Sequence, residues 1–124
     1  FRPLILVAED DDSNFKLIKA IIGKKCDIQW AKNGEEIVAL FKEYGKEAKA
    51  ILMDIKMPVM NGLDATKIIR EENKEIPIIM QTAYAFSSDK ENAMNAGASE
   101  VLVKPITLSI LRGTLTKYFP ELVW

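Results

Sequence analysis

Residues 4–10, LILVAED, decide the fold, because five apolar residues in a row end abruptly in two acids. An unbroken apolar run of this length is typical of a strand that is buried on both faces of a parallel sheet. Similar runs recur along the chain, and they predict strands at 4–8, 26–31, 50–53, 77–81 and 101–103. Because crossovers between parallel strands are right-handed, the pattern predicts an α/β sheet that is covered by helices on both faces.

Segments of helical periodicity fill the stretches between these runs. The first begins at Ser13 and stops at Gly23, with Asp12 expected as its N-cap. A Ser88-x-x-Glu91 capping box predicts the start of the fourth helix, which ends at Gly97. The second and third helices follow the turns Asn33-Gly34 and Asn61-Gly62, and the last has the apolar face Leu108, Leu111, Leu115 and Tyr118.

Size and composition limit the class of protein. A chain of 124 residues has the usual size of one domain, so residues 1–124 are predicted to form a single domain. A chain that is 48% hydrophobic and 28% charged is not disordered, and a net charge of -1 provides no basic field for nucleic acid. The apolar runs are too short for a membrane span and no signal peptide is recognisable, so we expect a cytoplasmic location without membrane contact. The start at Phe1 suggests a piece of a longer protein.

The cysteine and histidine counts exclude several kinds of site. The chain has one cysteine, Cys26, and no histidine. It therefore cannot form an intramolecular disulfide, a Ser-His or Cys-His catalytic pair, or a zinc site with histidine ligands. Any resident ion is expected to be a hard cation that is held by oxygen atoms.

Charged and polar residues follow the predicted strands at their carboxyl ends. Glu9 and Asp10 follow the first strand, Asp54 the third, Thr82 the fourth and Lys104 the fifth. Ligands of open α/β sheets bind at this edge. Carboxylates that lie close together repel each other, so a divalent metal is the natural counter-charge, and the ammonium and hydroxyl groups would face the oxygens of a phosphoryl group.

These residues lie in segments that resemble the receiver domains of response regulators and hybrid histidine kinases. The segments are 5–14 (ILVAEDDDSN), 53–62 (MDIKMPVMNG), 81–83 (QTA) and 103–105 (VKP), and together they place the resemblance over essentially the whole chain. It implies a flavodoxin-like (βα)5 fold, with a doubly wound parallel five-stranded sheet of strand order 2-1-3-4-5.

The resemblance also assigns roles at the phosphoryl site. Asp54 matches the phosphoacceptor, Thr82 the hydroxyl that hydrogen-bonds the phosphoryl group, and Lys104 its ion-pair partner. Pro105 matches a proline that commonly follows a cis peptide bond in the family.

For the metal, the resemblance implies Mg²⁺. Asp10 and Asp54 match direct ligands, Glu9 matches a carboxylate that acts directly or through water, and Lys56 would contribute only its backbone carbonyl. Where many receivers have Asp-Asp, this chain has Glu9-Asp10, which favours the water-mediated role for the longer side chain.

The implied reaction is an in-line transfer to Asp54 from a phosphohistidine of a partner. Since the chain has no histidine, the donor must belong to another protein or to a missing part of the same polypeptide, and the resemblance implies a histidine kinase or histidine phosphotransfer domain. A downstream phosphotransfer or output domain and a weak homodimer remain open. The domain would catalyse its own phosphorylation and dephosphorylation without being a turnover enzyme. The parent chain is expected to be a hybrid histidine kinase, with a stand-alone regulator as the alternative.

Other interpretations of the same residues remain open. A pseudo-receiver would use the fold only for protein interaction, and an aspartyl phosphohydrolase would need a second acid two residues after Asp54, where Lys56 stands instead. Lys56 and Tyr84 match positions that influence the access of water to the phosphoryl group. Val101 stands where the family often has an aromatic residue, so a conformational switch would depend on the backbone of residues 82–97.

Several residues are interpreted as structural. Asp11 and Asp12 are expected to be helix caps or solvated loop residues. The aromatic side chains Phe15, Trp30, Phe41 and Phe119 are expected to pack, and Trp30 is expected to lie too far from the acids to report metal binding.

Overall fold

Five strands and five helices alternate in the computed structural model, which describes residues 1–84 and 88–124. The strands are β1 (Leu4–Ala8), β2 (Asp27–Ala31), β3 (Ala48–Asp54), β4 (Ile78–Thr82) and β5 (Glu100–Val103). The helices are α1 (Asp12–Ile22), α2 (Gly34–Tyr44), α3 (Gly62–Glu72), α4 (Asp89–Ala96) and α5 (Leu108–Tyr118).

The strands form one parallel sheet in the order β2-β1-β3-β4-β5, which confirms the predicted fold class and strand order. β1 and β3 lie inside the sheet and are almost fully buried, which explains their unbroken apolar sequences. The edge strands β2 and β5 are half-buried, and their sequences are accordingly more polar.

Alternation along β1 divides the core into two layers. Leu6 and Ala8 pack toward the side of the sheet that is covered by α2, α3 and α4. Ile5 and Val7 pack toward the side that is covered by α1 and α5. Successive side chains of a strand point to opposite faces, so one short apolar segment contributes to both layers.

Three local predictions were wrong. The N-cap of α1 is Asp11, whose backbone is still extended and whose carboxylate accepts the Asn14 N–H at 2.9 Å, whereas Asp12 is already helical. Ser88 precedes α4 with a helical backbone and makes no capping hydrogen bond through its side chain, so the expected capping box is not formed. Leu108 is 49% exposed, because it lies in the first turn of α5 and faces away from the core.

Within the described ranges, none of the helices has the length and apolar character that crossing a membrane would require.

Candidate functional site

The predicted site residues meet at the carboxyl edge of the sheet. Asp54 ends β3 and Thr82 ends β4, while Glu9, Asp10 and Lys104 directly follow their strands. A cavity of about 270 Å³ opens at this edge, and its lining is Asp10, Asp11, Asp54, Ile55, Lys56, Gln81, Thr82, Ala83 and Lys104. The fold therefore brings these predicted residues to one cavity except Glu9, which does not line it but is buried 3.6 Å from Lys104 Nζ.

The position of Asp54 depends on a close approach of the following loop. The N–H of Gly62 donates to the Ile55 carbonyl at 2.8 Å, and a Cβ on Gly62 would lie 2.2 Å from the Asp54 carbonyl oxygen. Only glycine allows this approach without displacing the backbone. Asn61 then caps α3 by accepting the Asp64 N–H at 2.9 Å.

Two buried carboxylates share one ammonium group. The side chain of Glu9 is fully buried and Asp54 is 5% exposed. The Nζ of Lys104 donates to Asp54 Oδ2 at 2.9 Å and lies 3.6 Å from Glu9 Oε1, which is beyond hydrogen-bond distance. One cation thus faces two anions, and the pair of carboxylates is left with excess negative charge.

Burial and charge alter the titration of these groups. Burial, reinforced by the nearby Asp54 carboxylate, raises the pKa of Glu9 to about 7, although Lys104 opposes the shift. Burial alone would lower the pKa of Lys104, but the hydrogen bond to Asp54 and the charges of both carboxylates raise it above its usual value.

The acids have the arrangement that a hard cation needs. One carboxylate oxygen each of Glu9, Asp10 and Asp54 lies within 4.8 Å of the others. Glu9 Oε1 is buried without a hydrogen-bond partner among the described residues. Such an orphaned anionic oxygen is costly in the protein interior, and a divalent cation with oxygen ligands would satisfy it. The donor set fits Mg²⁺.

The hydroxyl of Thr82 is already engaged. It donates to Asp89 Oδ2 at 3.3 Å and accepts the Tyr84 N–H at 3.1 Å. Nothing in the sequence marks Asp89 as part of the site, since an acid in the first turn of a helix is usually explained by the helix dipole. The contact links the cavity to α4.

Lys56, which lines the cavity, contacts Tyr84. The Nζ of Lys56 is 4.7 Å from the centre of the Tyr84 ring, which is within cation–π distance. The sequence placed both residues near the phosphoryl group but did not predict their contact. The backbone of residues 82–97 is the segment on which a conformational switch is expected to depend. Within it, Ala85 and Ser87 lie outside the described residues.

Two backbone features flank the site. The Lys104–Pro105 peptide bond is cis, as the family resemblance implied. In the loop after β3, Val59 has a φ of 68°, and the Met60 N–H donates to the Pro58 carbonyl at 2.7 Å, which closes a three-residue turn.

Trp30 contacts the site, contrary to expectation. Its indole Nε1–H donates to the backbone carbonyl of Glu9 at 2.8 Å. The sequence indicated a packing role for Trp30 but contained no signal for this bond, because it joins a side chain of β2 to the backbone of the residue that follows β1.

Comparison with known proteins identifies relatives for nearly the whole chain. The family model described as response regulator receiver domain matches residues 5–116. Hybrid signal transduction histidine kinase I of Dictyostelium discoideum is 41% identical to this chain over 94% of its residues. The chain spans 7% of the length of that relative.

Solved structures give the same result for the fold. The receiver domain of a sensor histidine kinase from Pseudomonas aeruginosa, with a magnesium ion coordinated in its active-site cleft, is 32% identical with a TM-score of 0.88, and the match covers 97% of this chain and 99% of that one. The receiver domain of a Saccharomyces cerevisiae response regulator, crystallised with a histidine phosphotransfer signalling protein, is 29% identical with a TM-score of 0.87. That match covers 94% of this chain and 88% of the other.

Proposed function

This chain belongs to the response regulator receiver domain family of two-component systems, and from this membership we propose that Asp54 accepts a phosphoryl group from a phosphohistidine of a partner. One observation carries the proposal. Asp54 is 5% exposed, its carboxylate is bonded to Lys104 at 2.9 Å, and it shares a cavity with Asp10 and Thr82. A merely structural ion pair would not need a cavity of about 270 Å³ above it.

The side chains divide the work of an in-line transfer. An oxygen of the ionised Asp54 forms the new P–O bond while the P–N bond to the donor imidazole breaks, and the imidazole leaves with the bonding electron pair. Lys104 balances charge on the transferred phosphoryl oxygens, and the Thr82 hydroxyl donates to another of them after leaving Asp89. Transfer of this kind depends on positioning and electrostatics rather than on covalent help from the protein.

Mg²⁺ is the proposed cofactor, and when bound it would supply positive charge that offsets the negative charge of the acids and of the transferred group. We propose that Asp10 and Asp54 are direct ligands, that Glu9 acts directly or through water, and that Lys56 contributes its backbone carbonyl. The acidic trio and the orphaned Glu9 Oε1 support this set.

The partner is proposed to be a histidine kinase or a histidine phosphotransfer domain. The chain contains no histidine, so the phosphoryl donor must be another molecule or another part of a longer polypeptide. The similarity to a hybrid histidine kinase and to a receiver crystallised with a phosphotransfer protein supports this choice. Residues 1–124 would then be one receiver domain of a hybrid kinase and would act in the cytoplasm.

Phosphorylation with acetyl phosphate and Mg²⁺ tests the proposal. Intact-mass analysis is expected to detect one added phosphoryl group on the wild type and on the control Asp27→Asn, which changes an exposed acid at the opposite edge. Asp54→Asn is expected to gain none, because the amide oxygen is a poor nucleophile. Equal labelling of Asp54→Asn would exclude Asp54 as the acceptor, and an unlabelled wild type would favour the pseudo-receiver.

A further inference from the structure

Glu9 is tied to β2 through its backbone. Its N–H donates to the Ala31 carbonyl at 2.9 Å, and its carbonyl accepts the Trp30 indole N–H at 2.8 Å. β1 itself ends at Ala8, so the first bond continues the backbone pairing with β2 by one residue, and the second adds a side-chain contact from the same strand. Both backbone polar groups of Glu9 are therefore satisfied by the neighbouring strand.

The side chain of Glu9 makes fewer hydrogen bonds than its backbone. Oε2 accepts the Asp11 N–H at 3.2 Å, whereas Oε1 has no hydrogen-bond partner among the described residues and is faced by Lys104 Nζ at 3.6 Å. The direction of this carboxylate consequently depends on where the backbone places its Cα and Cβ.

The indole ring of Trp30 is fixed from two sides. The Phe15 ring of α1 stacks on it with centroids 3.9 Å apart and an interplanar angle of 0°. The Nζ of Lys32 lies 4.8 Å from the Trp30 ring centre and 3.5 Å from Asp12 Oδ1. Because aromatic stacking and cation–π contact restrict the ring, its N–H points at the Glu9 carbonyl in one orientation.

We propose that Trp30 is a positioning residue of the metal site. Its N–H, oriented by Phe15 and Lys32, fixes the Glu9 backbone so that the carboxylate faces Asp10 and Asp54. The inference rests on the proposed Mg²⁺ site and adds to it a residue that touches no ligand atom. Groups that orient a metal ligand affect affinity even though they do not contact the ion. The same bond makes Trp30 a sensor of the state of Glu9.

Trp124 provides a matched control. Its indole Nε1–H also donates a hydrogen bond, to Thr116 Oγ1 at 3.0 Å, and a cationic side chain, Arg112, lies 5.0 Å from its ring centre. Trp→Phe at either position removes the same N–H from the same kind of surroundings. Only Trp30 contacts Glu9.

The test measures the Mg²⁺ dissociation constant of the whole chain by NMR titration, with unfolding by urea in EDTA as a separate measure of stability. Trp30→Phe is expected to bind Mg²⁺ about three- to tenfold more weakly than the wild type, as the loss of one oriented hydrogen bond predicts. Trp124→Phe is expected to bind as the wild type does. In Trp124→Phe, where Trp30 is the remaining tryptophan, Mg²⁺ is expected to change the fluorescence with the dissociation constant found by NMR.

The outcomes separate this inference from the proposed function. If neither the wild type nor Trp124→Phe binds Mg²⁺, the metal site itself is wrong. If both bind it and Trp30→Phe binds equally well, Trp30 has only a packing role, even if its loss lowers stability. If Trp30→Phe fails to fold, an unchanged fluorescence of Trp124→Phe across the Mg²⁺ titration overturns the inference.

Discussion

The two edges of the sheet each carry an ion pair of similar length in very different surroundings. At the amino edge, Arg2 Nε lies 2.7 Å from Asp27 Oδ1, with side chains 50% and 60% exposed. At the carboxyl edge, Lys104 Nζ lies 2.9 Å from Asp54 Oδ2, with side chains 23% and 7% exposed. Water screens the first pair, so it contributes little, whereas the second pair is largely buried and therefore less screened. Distance alone therefore does not tell an exposed ion pair from a buried one.

The two edges also differ in which type of residue adopts a positive φ. Among the described residues, positive φ occurs at Gly97, with 116°, and at Val59, with 68°. Gly97 follows α4 and leads to the amino end of β5, where glycine adopts this conformation without steric cost. Val59 lies in the loop after β3 at the carboxyl edge, where a β-branched residue in the same region is strained. The carboxyl edge thus combines buried carboxylates with a strained non-glycine residue, whereas the positive φ described near the amino edge falls on a glycine.

The largest expected effect is a gain of stability when Glu9 is neutralised. A folded-state pKa near 7, raised from 4.5, means that the folded state prefers protonated Glu9. This group's contribution to stability is therefore complete below about pH 4.5 and is lost as the pH rises through about 7. Without Mg²⁺ at about pH 8, Glu9→Gln is expected to raise the free energy of unfolding by about 1 to 3 kcal/mol.

Urea unfolding in EDTA measures this difference, and it should shrink toward zero as the pH is lowered to about 4.5. Asp27→Asn is the matched change at the amino edge, and it is expected to lower stability by less than about 1 kcal/mol at every pH in this range. A loss of stability in Glu9→Gln at the higher pH would mean that the Lys104 contact outweighs desolvation, and the contrast between the edges would fail.

The second effect is competition between protons and Mg²⁺ at the carboxyl edge. Metal ligation requires the ionised carboxylate, so protonation of Glu9 below about pH 7 should weaken Mg²⁺ binding. The dissociation constant of the wild type is expected to rise by up to about tenfold for each pH unit below 7 and to level off above it. Calorimetric or NMR titration over this range checks the slope.

Variants at the two edges sharpen this result. Asp27→Asn should retain the pH dependence of the wild type, because the amino edge takes no part in it. Glu9→Gln should bind Mg²⁺ more weakly but with little pH dependence near 7, since the titrating group is gone. A pH-independent dissociation constant in the wild type would contradict the raised pKa of Glu9.

Much of the carboxyl edge was predictable because topology, rather than detailed packing, places it. The runs before Glu9 and Asp54 identify buried parallel strands, and the ends of such strands must meet. The residues Thr82 and Lys104 follow from the same rule. The five-stranded fold and its strand order were confirmed, Asp54, Thr82 and Lys104 line one cavity, and Glu9 lies beside them.

What the sequence missed depends on single side-chain contacts. The bond from Trp30 to Glu9 and the contact of Thr82 with Asp89 each join residues on neighbouring elements by one hydrogen bond. Periodicity cannot predict such pairs, because many residues at these positions would keep the same pattern. The N-cap prediction failed for a related reason, since Asp11 and Asp12 are chemically alike and only the backbone distinguishes them.

The smallest expected effect concerns the two residues with positive φ. Val59 is 73% exposed, so Val59→Gly loses almost no buried apolar surface. It relieves strain of about 1 to 3 kcal/mol, while glycine's greater freedom in the unfolded chain offsets about 0.5 to 1 kcal/mol. A net gain of about 1 kcal/mol in the free energy of unfolding is therefore expected, and urea unfolding measures it.

Gly97→Ala is the opposite change at the amino edge, and it is expected to destabilise the fold by about 1 kcal/mol or more. The alanine would have to adopt the positive φ of Gly97, and its methyl group would lie 2.7 Å from Cγ of Arg70. The guanidinium of Arg70 donates to the Gly97 carbonyl at 2.8 Å. The alanine would thus have a strained backbone, and its methyl group would displace the Arg70 side chain, which holds the α4–β5 turn. If Val59→Gly lowered stability as well, the turn at Val59 would be relaxed rather than strained. The carboxyl edge would then carry no backbone strain, and only its buried carboxylates would distinguish it from the amino edge.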